Sequence, residues 1–352
     1  MPDQSSLRLD RRHALAGGSA LAAALAFRAG SAQGTPGATP SASAGLEVPG
    51  IEAALAEAAP DFALLVGEVI DGEVVPLLDV NADLVLPIGS SFKFWILAAL
   101  TEQVEQGILD WEQVVVIEEP YKSVPGGDLR YALEGTEYTM RYLAERMMQK
   151  SDNTATDHML HLAGRENVET MMATTIGIAD PAPNLPMIST RELAMLKFAY
   201  PSDKLDAYYA ADIDEQRRIL AEEIAAIPYS ALEDIDQTAP LEIDRVEWFA
   251  NRDDLARTMV WLWEASQREG LLPAKEIIAL ETQLKFDGEI WPYVGFKGGS
   301  EMGVLAGSWI MQRADDRMFI FTIGFRNETG EVDTPAAVVA MEQVRDAMAT
   351  IP

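Results

Sequence analysis

The segment Phe92–Leu100 constrains the fold more than any other part of the chain. It reads Phe-Lys-Phe-Trp-Ile-Leu-Ala-Ala-Leu and predicts a helix over Ser91–Gln106 that is apolar on almost every side. A helix apolar all round has no face to give to water, so other elements must wrap it. It is too short to cross a bilayer. Burying one helix completely requires a sizeable core, which 352 residues with 48% hydrophobic content can supply. Lys93 lies inside this segment, and its neighbours Phe92, Phe94 and Trp95 argue against a freely solvated ammonium.

The pattern around that helix changes along the chain. Ile51–Ala59 reads as a short amphipathic helix. Phe62–Ile70 and Glu73–Leu78 are β-rich runs joined by Asp71-Gly72, a hairpin signal. The apolar run Leu84–Ile88 ends at Gly89. Helices are predicted at Thr139–Gln149, Thr154–Leu162, Thr190–Ala199, Ile213–Ala226 and Arg252–Ser266. Pro201–Ile243 is long, acidic and weakly patterned. Trp291–Lys297, Val304–Met311 and Met318–Phe325 read as an antiparallel meander. Thr334–Ala349 reads as a closing helix, with Thr334-Pro335 as its N-cap and first position.

Strands at both ends with helices between predict an α/β (α+β) fold, one antiparallel sheet formed by both chain ends and flanked by helices, plus an inserted all-helical region. One main domain is expected over 46–352, its α/β part from 46–88 and 267–352 and its helical part from 89–266, with an enlarged acidic loop at about 176–246.

Composition removes several function classes. Lys and Arg total 27 against 56 Asp and Glu, a formal net charge of −29. Such a chain repels phosphate backbones and anionic lipid, so no nucleic-acid partner is expected, and its self-repulsion favours a soluble monomer. The absence of cysteine excludes disulfides, thiolate metal sites and cysteine nucleophiles. The histidines are His13, His158 and His161. The last two stand three apart on one predicted helix without an HExxH pattern, so neither a metal nor a histidine-based triad is expected, and no cofactor is implied.

Arg11-Arg12 precede the apolar run Ala14–Phe27, and Gly30-Ser31-Ala32 forms a small-residue cleavage signal. Residues 1–32 therefore predict an export peptide of the twin-arginine kind, with no stable membrane anchor left behind and a periplasmic or secreted product. Residues 33–45 are rich in Gly, Pro, Ser, Thr and Ala and read as a flexible tether.

Three short motifs carry chemistry. In Gly89-Ser90-Ser91-Phe92-Lys93 a serine stands where an extended segment enters the buried helix, with a lysine one turn on. A serine hydroxyl needs a base before it can attack, and a lysine serves when burial and nearby positive charge lower its pKa. Ser151-Asp152-Asn153 joins two predicted helices, where Ser151 would pass a proton to a leaving group and Asn153 would hold the lysine and a substrate amide. Lys297-Gly298-Gly299-Ser300 ends a predicted strand. Its glycines admit close approach of another backbone, and Lys297 adds a second positive charge near Lys93. Each motif alone also suits a helix cap, a junction or a turn.

Taken together and in this order, the three motifs resemble the signature of class A β-lactamases and their penicillin-recognising relatives. The resemblance extends to Gly126–Arg130 and Gly135–Ser151 and covers roughly Ile51 to the C-terminus, with Pro201–Ile243 poorly matched. It implies a serine hydrolase in which Ser90 attacks an acyl carbonyl and Lys93 takes its proton. Ser151 relays a proton to the leaving group, and Asn153, Gly299 and Ser300 position substrate. Lys297 and Ser300 would hold a carboxylate, and the backbone N–H groups of Ser90 and Ser300 would stabilise the oxyanion. The implied partner is a small amide, ester or β-lactam.

The pattern breaks at the second half-reaction. Class A enzymes place a water-activating glutamate in a loop after Ser-Asp-Asn. Here Ile176–Pro186 contains Asp180 and Asn184 but no glutamate, and Glu233, Glu242 and Glu247 stand further on as candidates. β-Lactam hydrolysis, an esterase or D-alanyl peptidase-like activity, and a binding or sensor domain that acylates without turnover all remain open.

Overall fold

The computed structural model describes residues 45–232, 235 and 237–352. The expected export peptide, the tether up to residue 44 and Glu233 lie outside the described residues.

Helix α1 (Ile51–Ala58) precedes the hairpin β1 (Asp61–Ile70) and β2 (Glu73–Val80). Its turn is Asp71-Gly72, both at positive φ, as a two-residue hairpin of right-handed strands requires. A short strand, β3 (Leu86–Pro87), leads into a 3-10 turn (Gly89–Phe92) and α2 (Lys93–Glu105). The pair β4 (Val114–Val116) and β5 (Glu137–Thr139) then brackets a loop, followed by α3 (Met140–Gln149), α4 (Asn153–Ala163) and α5 (Arg165–Thr170). Helices α6 (Thr190–Phe198), α7 (Ser202–Ala210) and α8 (Ile213–Ile219) fill the acidic stretch. After β6 (Phe249–Ala250), which pairs with β3, come α9 (Arg252–Ser266) and α10 (Leu272–Ile278). The meander β7 (Tyr293–Glu301), β8 (Val304–Gln312) and β9 (Met318–Arg326) and helix α11 (Thr334–Met348) complete the chain.

The main sheet has the order β2-β1-β9-β8-β7, antiparallel throughout. The two chain ends meet where β1 pairs with β9, so the α+β architecture is as the sequence predicts. Strand β7 forms one edge. One sheet face is covered by α1 and α11 over Trp309, Phe319, Phe321 and Phe325, with Trp309 stacked on Phe321 at 4.7 Å. The other faces the helical region, whose centre is α2. Residues Lys93–Leu100 are all buried, and the polar groups that follow are satisfied internally. Thr101 Oγ1 donates to Leu97 O at 2.7 Å and Gln103 Nε2 to Ala163 O at 2.7 Å. Among the described residues no helix is long and apolar enough to cross a membrane.

Several boundaries differ from the sequence reading, each for a local reason. The predicted helix Ser91–Gln106 starts as a 3-10 turn, so Ser90 and Lys93 are joined by tighter geometry than an α-helical turn. The meander's first strand does not stop at Lys297 but runs to Glu301, because the glycines pair with small residues: Gly298 opposite Gly307 and Gly299 opposite Ala306. Pro201–Ile243 holds regular helices, and the run predicted as one helix to Ala226 ends as α8 at Ile219 and continues as a π turn. The last helix is capped by Asp333, whose carboxylate accepts from Ala336 N, rather than by Thr334.

Candidate active site

Ser90 sits on the 3-10 turn between β3 and α2. Two contacts fix that turn from below. Ile88 N donates to Trp248 O at 2.9 Å, and the indole of Trp248 stacks on Phe92 with centroids 3.6 Å apart. Gly89 at φ +48 lets the chain turn sharply against β7; a β-carbon there would stand 3.0 Å from Ser300 N.

Lys93, fully buried beneath, donates to Ser151 O (2.8 Å), Asn153 Oδ1 (2.8 Å) and Ser151 Oγ (3.0 Å). The first two are obligate acceptors, whereas a hydroxyl can also donate. A neutral amine, with two N–H groups and one lone pair, is therefore as well satisfied here as an ammonium. Burial drives the Lys93 pKa well below the lysine range, and the charge of Lys297 lowers it further. Lys297 reaches the same hydroxyl from the sheet side, with Nζ 3.1 Å from Ser151 Oγ and 2.7 Å from Gly298 O, and burial pushes its own pKa down to about 7.

The junction between α3 and α4 holds Ser151 in a left-handed conformation at φ +53, which turns its hydroxyl between the two lysines. Asp152 is wholly committed to the fold. Its carboxylate caps α4 at Ala155 N (2.9 Å) and accepts from Leu129 N (3.0 Å). Asn153 completes the junction by donating to Pro125 O while accepting from Lys93.

A cavity of about 500 Å³ opens here, within the range of small-molecule sites. Ser90, Ser151, Asn153, Lys297, Gly299 and Ser300 line it, so of the residues predicted for the site only Lys93 lies beneath its wall. The cavity continues past Phe296 and Trp309 to Val338 and Met341 of α11.

Of the carboxylates nominated for water activation, the two that are described, Glu242 and Glu247, do not line this cavity. Glu242 pairs with Arg245 at 2.6 Å. Glu247 is buried, accepts from Trp248 N at 2.8 Å and lines a different cavity. His158 is occupied by the fold, its ring nitrogens meeting Thr154 O and Glu118 N.

Two arrangements escaped the motif reading. Asp157, one turn beyond Asn153, receives Thr190 N, Thr190 Oγ1 and Arg191 N and ties α6 to the floor of the site; burial pushes its pKa up to about 7. Lys197 at the end of α6 pairs with Glu301 at the end of β7, and Glu247 joins them. The i, i+4 spacing from Asn153 and the strand alternation from Lys297 were the available signals.

Residues 50–206 match the Beta-lactamase enzyme family. Among solved structures, a β-lactamase from Sphaerobacter thermophilus aligns with TM-score 0.59 at 18% identity, covering 86% of this chain and 96% of that one. One from Desulfarculus baarsii aligns with TM-score 0.58 at 17% identity, covering 86% and 99%. A mutant of PBP-A, solved as an acyl-enzyme complex with penicillin G, aligns with TM-score 0.53 at 14% identity, covering 82% and 89%. No curated protein matches the chain. The chain thus has the fold of these β-lactamases, and its residues 50–206 are similar to the Beta-lactamase enzyme family.

Proposed function

We propose that the protein is an exported serine hydrolase that cleaves a small amide, ester or β-lactam through an acyl-enzyme at Ser90. The observation that carries this reading is the convergence of two buried lysines on one hydroxyl, Ser151 Oγ, at the edge of the cavity that Ser90 lines. Neutral Lys93 takes the Ser90 proton as Oγ attacks the acyl carbonyl. Ser151, held by Lys297, passes a proton on to the departing amine or alkoxide. The backbone N–H groups of Ser90 and Ser300 receive the developing oxyanion, and Lys297 with Ser300 holds a substrate carboxylate. The penicillin G complex of the PBP-A mutant makes a β-lactam the first reagent to try.

Intact-protein mass spectrometry after penicillin G tests the assignment. A one-to-one adduct on the wild type that disappears in Ser90→Ala is expected. Labelling that persists in Ser90→Ala would refute it. A D-alanyl peptidase-like activity is the second reading. It is favoured by the free edge of β7, along which an extended peptide can lie, and by the absence of a glutamate from Ile176–Pro186.

A further inference from the structure

The cavity at Ser90 is lined by Lys297, which meets Ser151 on one face of β7, and by Phe296, which strand alternation puts on the other. It therefore passes round β7, the strand that ends the sheet, and reaches α11. On the α11 face Phe296 stands opposite Trp309, Gly298 opposite Gly307 and Ser300 opposite Leu305. The paired glycines let the two rings lie along their strands. A β-carbon at Gly298 would stand 2.8 Å from Phe296 Cζ, and one at Gly307 would stand 2.5 Å from Trp309 Cη2. With centroids 4.8 Å apart, the rings make an apolar floor that runs on to Leu305. Trp309 Nε1 donates to Thr282 O at 2.8 Å, so the one polar atom of that side chain is committed to the fold. Thr334, Val338 and Met341, at i, i+4 and i+7 on α11, supply the wall, and Val338 is only half-buried. The charged group beside the indole is a carboxylate. Glu281 lines the cavity next to Thr282 and is held by Thr282 N at 3.1 Å and Gln283 N at 3.0 Å.

We propose that this branch of the cavity is a subsite for an apolar leaving group. The preferred substrate is then an amide or ester whose amine or alcohol carries an uncharged hydrocarbon chain or ring. This rests on the reading of Ser90 as the acylated serine. On that reading Ser151 serves the leaving group and Lys297 holds Ser151, and Phe296 and Gly298 are the chain neighbours of Lys297 on β7. Ser300, whose N–H faces the oxyanion, stands further along the strand. A leaving group that departs past Ser151 thus enters between the ring floor and α11. A hydrocarbon chain seated there exchanges water for carbon. A carboxylate at the end of that chain would meet the Glu281 charge instead.

Hydrolysis of n-alkyl acetates by the full chain tests this. Ethyl and hexyl acetate release alcohols of nearly equal basicity, so their kcat/KM ratio reads the seating of the chain. Hexyl acetate should exceed ethyl acetate at least about tenfold, as a hydrophobic pocket discriminates by methylenes. The acetate of ω-hydroxyhexanoic acid, the same chain ended in a carboxylate, should lose that gain. Val338→Asp, which brings a charge to the branch, and Val338→Trp, which fills it, should each lower the hexyl-to-ethyl ratio at least about fivefold. Ethyl hexanoate against ethyl acetate is the acyl-side control, and neither variant should move its ratio. A wild-type hexyl-to-ethyl ratio near one would overturn the proposal and leave the Ser90 reading standing. So would a ratio that neither Val338 variant lowers, a loss confined to the acyl series, or a gain that survives the terminal carboxylate. A wild type that penicillin G acylates but that turns over no alkyl ester overturns the proposal alone. A wild type that takes no adduct from penicillin G and hydrolyses no ester overturns the Ser90 reading, and this proposal with it.

Discussion

Gly299 and Ser90 are packed backbone to backbone: a β-carbon on Gly299 would stand 2.4 Å from Ser90 N. Ser90, the proposed nucleophile, is therefore positioned by a contact that no other residue type permits. Gly299→Ala should push the turn off the strand and misplace both oxyanion donors. We expect acylation by penicillin G to fall at least about 100-fold, with a stability loss of about 1–3 kcal/mol from overpacking. Stopped-flow acylation and thermal melting measure the two effects, and wild-type acylation in the variant would contradict the packing argument.

The two lysines should shape the pH profile of acylation. On the proposed reading Lys93 acts as a base, and both burial and Lys297 lower its pKa, so the rate should rise with pH on the acid side at pH values well below the lysine range. Lys297 is itself down at about 7, so loss of its charge should bend the profile over above neutrality. Lys297→Met removes the charge that helps depress Lys93, and the acid limb should move to higher pH. An acid limb that stays in place would show that the lysines are not electrostatically coupled.

Adjacent residues of the α3–α4 junction should fail in different ways. Asp152→Ala removes a helix cap and leaves two backbone donors unpaired, which should cost on the order of 2 kcal/mol or more of stability. Asn153→Ala removes an acceptor from Lys93 and should lower the acylation rate with a smaller shift in melting temperature. Equal stability losses in the two would contradict this division.

Trp248 follows directly on the acidic region that the sequence pattern matched least well, and its ring stacks on Phe92 immediately beneath the Ser90 turn. Trp248→Ala should cost about 3–5 kcal/mol as a buried large-to-small change. Trp248→Phe should recover most of the acylation rate by keeping a ring on Phe92. Denaturant melts and acylation kinetics of the two variants distinguish support of the site from stability alone.

Export can be tested on the precursor. Cell fractionation with N-terminal sequencing should find a mature chain beginning at Gln33, and replacing Arg11 and Arg12 together with Lys should leave the precursor inside the cell. A precursor that is exported equally well with both arginines replaced would contradict the twin-arginine reading.

Much of this site was legible because its parts are local. Ser90 and Lys93 share one turn, Ser151 and Asn153 one junction, and Lys297 to Ser300 one strand. An apolar run around Lys93 translates directly into burial, and Gly-Gly into close approach. What the pattern could not supply was distance between elements. Nothing in the sequence says that Lys197 on α6 meets Glu301 on β7, or that Trp248 comes to lie on Phe92, since these contacts join residues about 100 and 150 positions apart. The misplaced end of β7 has the same origin. Glycines read as a stop until the partner strand is known to offer Gly307 and Ala306 opposite them.

The pairing of β1 with β9 has a consequence for biogenesis. The first long strand pairs with β2 at once but cannot find its other neighbour until the chain has been made as far as Arg326, and the strand that bears Lys297 reaches the Ser90 turn as part of that same sheet. Ribosome-bound intermediates will have α2 and the junction after it long before β7 is there to complete the cavity at Ser90. On the proposed reading, the nascent chain is silent by topology until that sheet has formed.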